Sequence, residues 1–149
     1  MRLDEYLDPE LVLPDLAATS KTEVLRELTG ALAARHPGVD AAHALAVLMD
    51  REGLGTTGIG EGVAIPHGKL ANLDRIFLCV GRSLKGVDFD ALDFKPCTIF
   101  FLVLAPEQMT GVHLRILAHI SRVLKDESFR RDFFDARDRE ALFTLLQSF

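Results

Sequence analysis

The sequence has little of what would mark a membrane, secreted or metal-binding protein. Its 149 residues contain two cysteines, Cys79 and Cys97, and both lie in apolar, strand-like stretches without C-x-x-C spacing. The longest apolar run, residues 99–105, is far shorter than a membrane span and is typical of a buried strand. The acidic N-terminal segment lacks the apolar core of a signal peptide. We therefore expect free thiols, no membrane insertion and a cytoplasmic location.

Signatures of nucleic-acid and nucleotide binding are also missing. The net charge is −5, and the densest basic stretch, residues 130–139, is interleaved with acids as on a solvated helix face. Neither a GxxxxGK[ST] motif nor a kinase-like set of lysine and aspartates is present, so the chain has no evident means of taking phosphate from a nucleotide. Residues 53–58 match GxGxxG, but the match follows a predicted helix rather than a strand. We interpret it as a false positive for dinucleotide binding.

Cap residues and hydrophobic periodicity predict two helices in the first third of the chain. Ser20 and Glu23 have the spacing of a capping box, and apolar residues follow at helical intervals until residues 36–38, HPG, end the helix. Asp40 caps a second helix, which closes at Arg51 and Glu52 just before a glycine-rich segment.

The second half of the chain predicts strands followed by helices. Near-continuous apolar runs are expected for strands that are covered on both faces. The order of elements predicts one α/β domain over residues 1–149, a three-layer α/β/α sandwich with a mixed sheet between helices. The predicted elements of this half are strands at residues 76–80 and 98–104, a short edge strand or turn at 86–93, a helix capped by Thr110 that runs through Lys125, and helices around 128–136 and 139–148.

The most informative segment is residues 53–68, GLGTTGIGEGVAIPHG. It holds six of the eleven glycines of the chain and ends with a histidine between a proline and a glycine. Glycine at this density leaves backbone N–H groups open to a small anion. Pro66 fixes its own φ and favours an extended Ile65, so the chain reaches His67 stiffly. We interpret the segment as a loop that presents one imidazole to a phosphate-sized group, although plain turns share this composition.

This segment resembles the active site of a known family. Residues 57–60, TGIG, and residues 63–68, VAIPHG, are similar to the active-site sequence of phosphotransferase-system enzyme IIA proteins of the fructose–mannitol class, in particular of their nitrogen-regulatory branch. The resemblance runs from about Ser20 to the C-terminus. It implies that His67 accepts a phosphoryl group from a histidine-containing phosphocarrier protein.

The resemblance also implies roles for other residues. It places a second active-site histidine at His113, in the first turn of a predicted helix, where the helix dipole favours anions; from the residues alone, a core histidine is the better interpretation. Arg51 precedes the glycine segment as an arginine does in the family. It would offer phosphoryl oxygens a planar cationic fork, or merely stabilise the helix end. The Thr57 hydroxyl and the loop N–H groups, including those of Gly58 and Gly60, are further candidates for phosphoryl contacts.

Three functions are compatible with these residues. A nitrogen-regulatory switch, whose phosphorylation state alters its binding to target proteins, agrees best with the branch that the sequence resembles. A fructose- or mannitol-type component would instead pass the phosphoryl group to a IIB acceptor during sugar uptake. A bare anion-binding module would share the fold without the chemistry. We expect no cofactor, and no metal, because the five histidines form no HExxH motif.

Overall fold

The computed structural model describes residues 1–149 and contains a mixed six-stranded sheet with five α-helices. The helices are α1 (Lys21–Arg35), α2 (Ala41–Gly53), α3 (Thr110–Lys125), α4 (Glu127–Asp135) and α5 (Arg139–Leu146). The strands are β1 (Val12–Leu13), β2 (Gly58–Gly60), β3 (Val63–Ala64), β4 (His67–Leu70), β5 (Phe77–Val87) and β6 (Cys97–Pro106).

Strand β6 organises the sheet because it pairs with three neighbours. The strand order is β1-β5-β6-β3-β2, and β4 also pairs with β6, beyond β3 along its length. β5 is antiparallel to β6, whereas β3 and β4 run parallel to it. In this register Val63 lies opposite Ile99 and His67 lies opposite Val103. Backbone pairing with β6 therefore fixes the position of His67.

Each face of the sheet carries its own layer of helices. Side chains alternate along β6, so Phe100, Leu102 and Leu104 pack with α1 and α2, while Phe101 and Val103 pack with α3, α4 and α5. Burial on both faces explains why β6 is apolar without interruption. The predicted three-layer α/β/α sandwich is confirmed. None of the helices combines the length and the apolar content needed to cross a membrane.

The predicted cap of α1 is confirmed, whereas the predicted cap of α3 is wrong. The Ser20 hydroxyl accepts a hydrogen bond from the Glu23 N–H at 3.2 Å. Thr110, in contrast, is already the first residue of α3, and its hydroxyl donates to the Glu107 carbonyl at 3.2 Å. The reason is a 3₁₀ turn at Glu107–Met109 that leads directly into α3, so that no extended residue precedes the helix.

Short strands interrupt the glycine-rich segment, so the prediction of a loop over residues 53–68 is wrong in part. It contributes β2, β3 and the first residues of β4, and true loop remains chiefly between α2 and β2. Strands this short show no alternating pattern in the sequence, and the β6 residues with which β3 and β4 pair lie more than thirty residues later in the chain. The GxGxxG match lies between a helix and a strand, which is not the strand–turn–helix setting of a dinucleotide site.

The edges of the sheet also differ from the prediction. β5 extends to Val87 rather than ending near residue 80, because its second half pairs with β6 across an irregularity in register. β1 is a two-residue strand that pairs with β5 and leaves no recognisable pattern in the sequence.

Helix α2 approaches strand β4 so closely at Gly68 that a larger residue does not fit. A Cβ atom at this position would lie 2.7 Å from Cγ1 of Val47. Valine has one strongly preferred rotamer in a helix, so it cannot readily turn away. This contact sets the distance between α2, which carries Arg51, and β4, which begins with His67.

We expect Gly68→Ala to lower the free energy of unfolding by about 1–3 kcal/mol, because overpacking pushes α2 away from β4. Val47→Ala removes the opposing methyl groups, so the added methyl should cost much less in the double variant than in the native background. Urea denaturation of the four proteins measures this coupling. Strictly additive effects of the two substitutions would contradict the proposed clash.

Candidate active site

The candidate site is a cleft where the end of α2, the start of β4 and the first turn of α3 meet. Its volume is about 440 Å³. Both histidines singled out in the sequence lie in its wall, His67 as the first residue of β4 and His113 near the start of α3. The lining residues are Val47, Asp50, Arg51, Leu54, His67, Gly68, Lys69 and His113.

The imidazole of His67 is held by one hydrogen bond. Its Nδ1 lies 2.7 Å from the carbonyl oxygen of Ile65, and because a carbonyl only accepts, Nδ1 carries the proton. Burial lowers the pKa of His67, and the nearby Arg51 guanidinium lowers it further, against the opposing effects of the Ile65 bond and of Glu52. The ring is therefore neutral near pH 7, with an unprotonated Nε2. That nitrogen has no hydrogen-bond partner in the protein and is not buried.

His113 lies against His67 but is buried. Its side chain is only 4% exposed, and the centroids of the two rings are 5.9 Å apart in an edge-to-face arrangement. Burial, with smaller effects of His67 and Lys69, lowers the pKa of His113 to about 4, so this ring is also neutral. Its Nε2 is buried without a hydrogen-bond partner. An unpaired buried nitrogen in a cleft wall is suited to bind a ligand that enters the cleft.

Two cations complete the wall of the cleft. Arg51 is half-buried and donates from Nη1 to the carbonyl of Gly55 at 2.7 Å, which holds the loop between α2 and β2. Lys69 is exposed, and its Nζ donates to the Thr110 hydroxyl at 3.0 Å. Sequence reasoning missed Lys69. Its position two residues after His67 on a strand was the available signal, because residues i and i+2 share one face of a strand.

The structure does not place the other predicted contacts in the cleft wall. Thr57 is buried, and both its N–H and its hydroxyl donate to the carboxylate of Glu52. Gly58 and Gly60 lie in the edge strand β2, which β3 separates from β6. Contact of these three residues with a phosphoryl group stays a prediction.

Metal ligands do not gather at this cleft or elsewhere. The structure contains no group of three or more histidines, cysteines or acids arranged to hold a metal ion. Cys79 and Cys97 are free and buried. Burial raises the pKa of both thiols to about 12, which makes them poor nucleophiles.

Comparisons with known proteins identify the family of this chain. The family model described as "Phosphoenolpyruvate-dependent sugar phosphotransferase system, EIIA 2" matches residues 5–149. A nitrogen regulatory protein of Bradyrhizobium diazoefficiens is 40% identical over 146 residues, 98% of this chain and 95% of that protein. The crystal structure of the nitrogen regulatory protein IIA-Ntr from Neisseria meningitidis has a TM-score of 0.91 at 32% identity, covering 97% of this chain and 98% of that chain. The chain therefore belongs to the EIIA type-2 family of the phosphotransferase system.

Sugar-specific members of the family are similar as well. The fructose-specific EIIABC component of Bacillus subtilis is 30% identical over 146 residues, which are 98% of this chain but only 23% of that protein. The predicted resemblance to the family and to its nitrogen-regulatory branch is confirmed, and the match begins at residue 5, earlier than the expected start near Ser20.

Burial of a neutral His113 makes stability depend on pH. The pKa of about 4 in the folded protein lies below the ordinary value of 6.5, so the unfolded state binds more protons between these two values. The resulting stability is fully present above pH 6.5 and is lost as the pH falls towards 4, in total on the order of 3 kcal/mol at about 1.36 kcal/mol per pH unit.

We expect His113→Phe to flatten this pH dependence, because phenylalanine cannot be protonated on unfolding. Urea denaturation at about pH 4.5 and about pH 7.5 measures the slope, and His43→Phe, at an exposed position on α2, controls for the loss of one histidine. An unchanged slope in His113→Phe would contradict a buried, neutral ring.

Proposed function

We propose that this chain accepts a phosphoryl group on Nε2 of His67 from a histidine-containing phosphocarrier protein and acts mainly as a nitrogen-regulatory switch. The observation that carries the proposal is the 2.7 Å hydrogen bond from His67 Nδ1 to the Ile65 carbonyl, which leaves Nε2 unprotonated and unpartnered at the cleft. Membership of a phosphotransfer family supports the reaction class. A phosphoprotein is the donor because the sequence has no nucleotide-binding motif.

The transfer is an in-line displacement at phosphorus. The lone pair of Nε2 forms the new N–P bond, and the N–P bond of the donor phosphohistidine breaks with its electron pair returning to the donor imidazole. No proton has to leave His67 during the step, since Nε2 carries none. The phosphorylated ring retains its Nδ1 proton, and the Ile65 carbonyl stabilises the positive charge that develops there.

The cleft supplies charge stabilisation for the incoming phosphoryl oxygens. Arg51 and Lys69 are its permanent cations, and the unpaired Nε2 of His113 supplies a hydrogen bond if its proton resides there. Both histidines are neutral near pH 7, so neither repels an approaching donor imidazole. The chain's part is alignment and electrostatic stabilisation, which are the main requirements of phosphoryl transfer.

We expect His67→Ala to abolish acid-labile phosphorylation and His113→Ala to slow it by about 10²–10³-fold, because the second change removes a stabilising group rather than the nucleophile. The measurement is the initial rate with enzyme I, phosphocarrier protein and phosphoenolpyruvate, read by intact-mass spectrometry. His43→Ala is the matched control, since it removes an exposed histidine outside the cleft. Retained labelling in His67→Ala would move the site to another residue.

The regulatory role rests on what a phosphoryl group does to the surface of the cleft. Leu54 lies at the cleft and is 87% exposed, which suits an apolar contact with a partner. Phosphorylation adds about −1.5 to −2 charges beside it and turns an apolar rim into a poor partner surface. Similarity to nitrogen regulatory proteins over nearly the whole chain supports the switch. A switch of this kind would act in the cytoplasm, where free thiols persist. It would not bind nucleic acid.

The alternative, supported by the similarity to a fructose-specific component, is transfer to a IIB acceptor during sugar uptake. We expect phosphate on His67 to stay on the chain when membranes containing the fructose or mannitol IIB and IIC components are added with sugar. Rapid chase of the label into sugar phosphate would establish the transport role instead. If the wild-type chain is never phosphorylated, an anion-binding module remains as the explanation of the fold.

A further inference from the structure

A series of hydrogen bonds, joined through the backbone of Thr57 and Ile65, leads from a buried carboxylate to the ring of His67. The Thr57 N–H and hydroxyl both donate to the Glu52 carboxylate, the N–H at 3.0 Å. The Thr57 carbonyl accepts from the Ile65 N–H at 3.1 Å. The Ile65 carbonyl then accepts from His67 Nδ1 at 2.7 Å. Two residues, Thr57 and Ile65, each bonded through both its N–H and its carbonyl, therefore connect Glu52 to the imidazole that presents Nε2 at the cleft.

The carboxylate at the start of this path is paired with a half-buried cation. Glu52 lies in the last turn of α2 with its side chain only 3% exposed, and Lys21 Nζ lies 2.8 Å from its Oε1. The Lys21 side chain is 16% exposed, and its ammonium group lies over the ring of Phe89, 4.8 Å from the centroid. Lys21 also approaches the exposed Asp90 at 3.7 Å. Both charges are thus held in place and largely removed from water.

Removing one partner of such a pair leaves an uncompensated charge in the interior. The pair connects the first residue of α1 to the last turn of α2 and to the residue that precedes β2. Arg51, the neighbour of Glu52, holds the same loop at Gly55. Two adjacent side chains of α2 therefore fasten the loop at different points, and only Glu52 lies on the path to His67.

We propose that Glu52, held in place by its ion pair with Lys21, is a positioning residue that fixes the ring orientation and the Nδ1–H tautomer of His67. This inference rests on the proposed phosphorylation of His67 and deepens it. The path passes through the Cα atoms of Thr57 and Ile65, so Glu52 acts by holding these two residues, and with them the Ile65 carbonyl, in a fixed position. The ring donates its Nδ1 proton to that carbonyl, and Nε2 is left as the nucleophile.

A purely structural anchor would hold the loop without affecting the electronic state of His67. Two observations favour the positioning role of Glu52 over that of a structural anchor. The path ends on the ring itself rather than on a neighbouring side chain. In addition, the negative charge of Glu52 raises the pKa of His67, so the two groups interact electrostatically as well as through bonds.

Glu52→Gln tests the proposal because it is nearly isosteric but has one acceptor oxygen for three donors. In this variant we expect a mixture of Nδ1–H and Nε2–H tautomers at His67, a lower pKa of its ring, and a kcat for phosphoryl transfer reduced about 10–100-fold. The KM for the phosphocarrier protein should stay within about twofold, because Glu52 is buried and cannot touch a partner. Imidazole ¹⁵N NMR spectra report the tautomer and the pKa.

Glu27→Gln is the matched control. Glu27 is also a glutamate that accepts backbone N–H groups, from Ala17 and Ala18, but it lies outside the path. Lys21→Met provides a second test should Glu52→Gln fail to fold, and we expect it to change the tautomer and kcat in the same direction. Lys21→Arg keeps the cation and should therefore retain the wild-type tautomer and kcat.

Wild-type tautomer populations and kcat in a folded Glu52→Gln variant, or in both Lys21 variants, would overturn the proposal. The tautomer is measured without any phosphoryl donor. Failure of the proposed function, with no phosphorylation of the wild-type chain, is therefore distinguishable from failure of this inference.

Discussion

The hydrogen bond from His67 Nδ1 to the Ile65 carbonyl is the interaction on which the site depends. It assigns the proton to one nitrogen of the ring and leaves the other free at the cleft. The bond exists because Pro66 lies between its two partners at the junction of β3 and β4, where parallel pairing with β6 holds both strands. A neutral imidazole with a defined tautomer is the state that a phosphoryl acceptor needs.

The electrostatics of the cleft follow from burial rather than from an excess of charge. Desolvation keeps His67 and His113 neutral, so Arg51 and Lys69 are the permanent cations facing the cleft. One carboxylate, Asp50, also lies in the wall. A site of this kind gains charge only when a phosphoryl group arrives, and that property suits both a transfer step and a switch whose two states differ in charge.

Much of the fold could be predicted from residue patterns. The order of the predicted elements, helices followed by apolar strands and then by further helices, was sufficient to predict a mixed sheet between two helical layers. Strands β1 to β4 escaped prediction because they have two to four residues each and acquire their structure from neighbouring strands of the sheet. The error at Thr110 was of the same kind, since the preceding 3₁₀ turn determines where α3 begins.

In the candidate site, too, some features were determined by the sequence and others only by the tertiary structure. His67 and its rigid approach through Pro66 were determined by the sequence itself, because proline restricts φ whatever surrounds it. The proximity of His113 and Arg51 to His67 was decided only by the tertiary structure, since α2, β4 and α3 have to meet. The burial of Thr57 against Glu52 also depends on how α2 packs beside the sheet, which the sequence does not show. Burial and partners are properties of packing, and a linear pattern records only which side chains are available to pack.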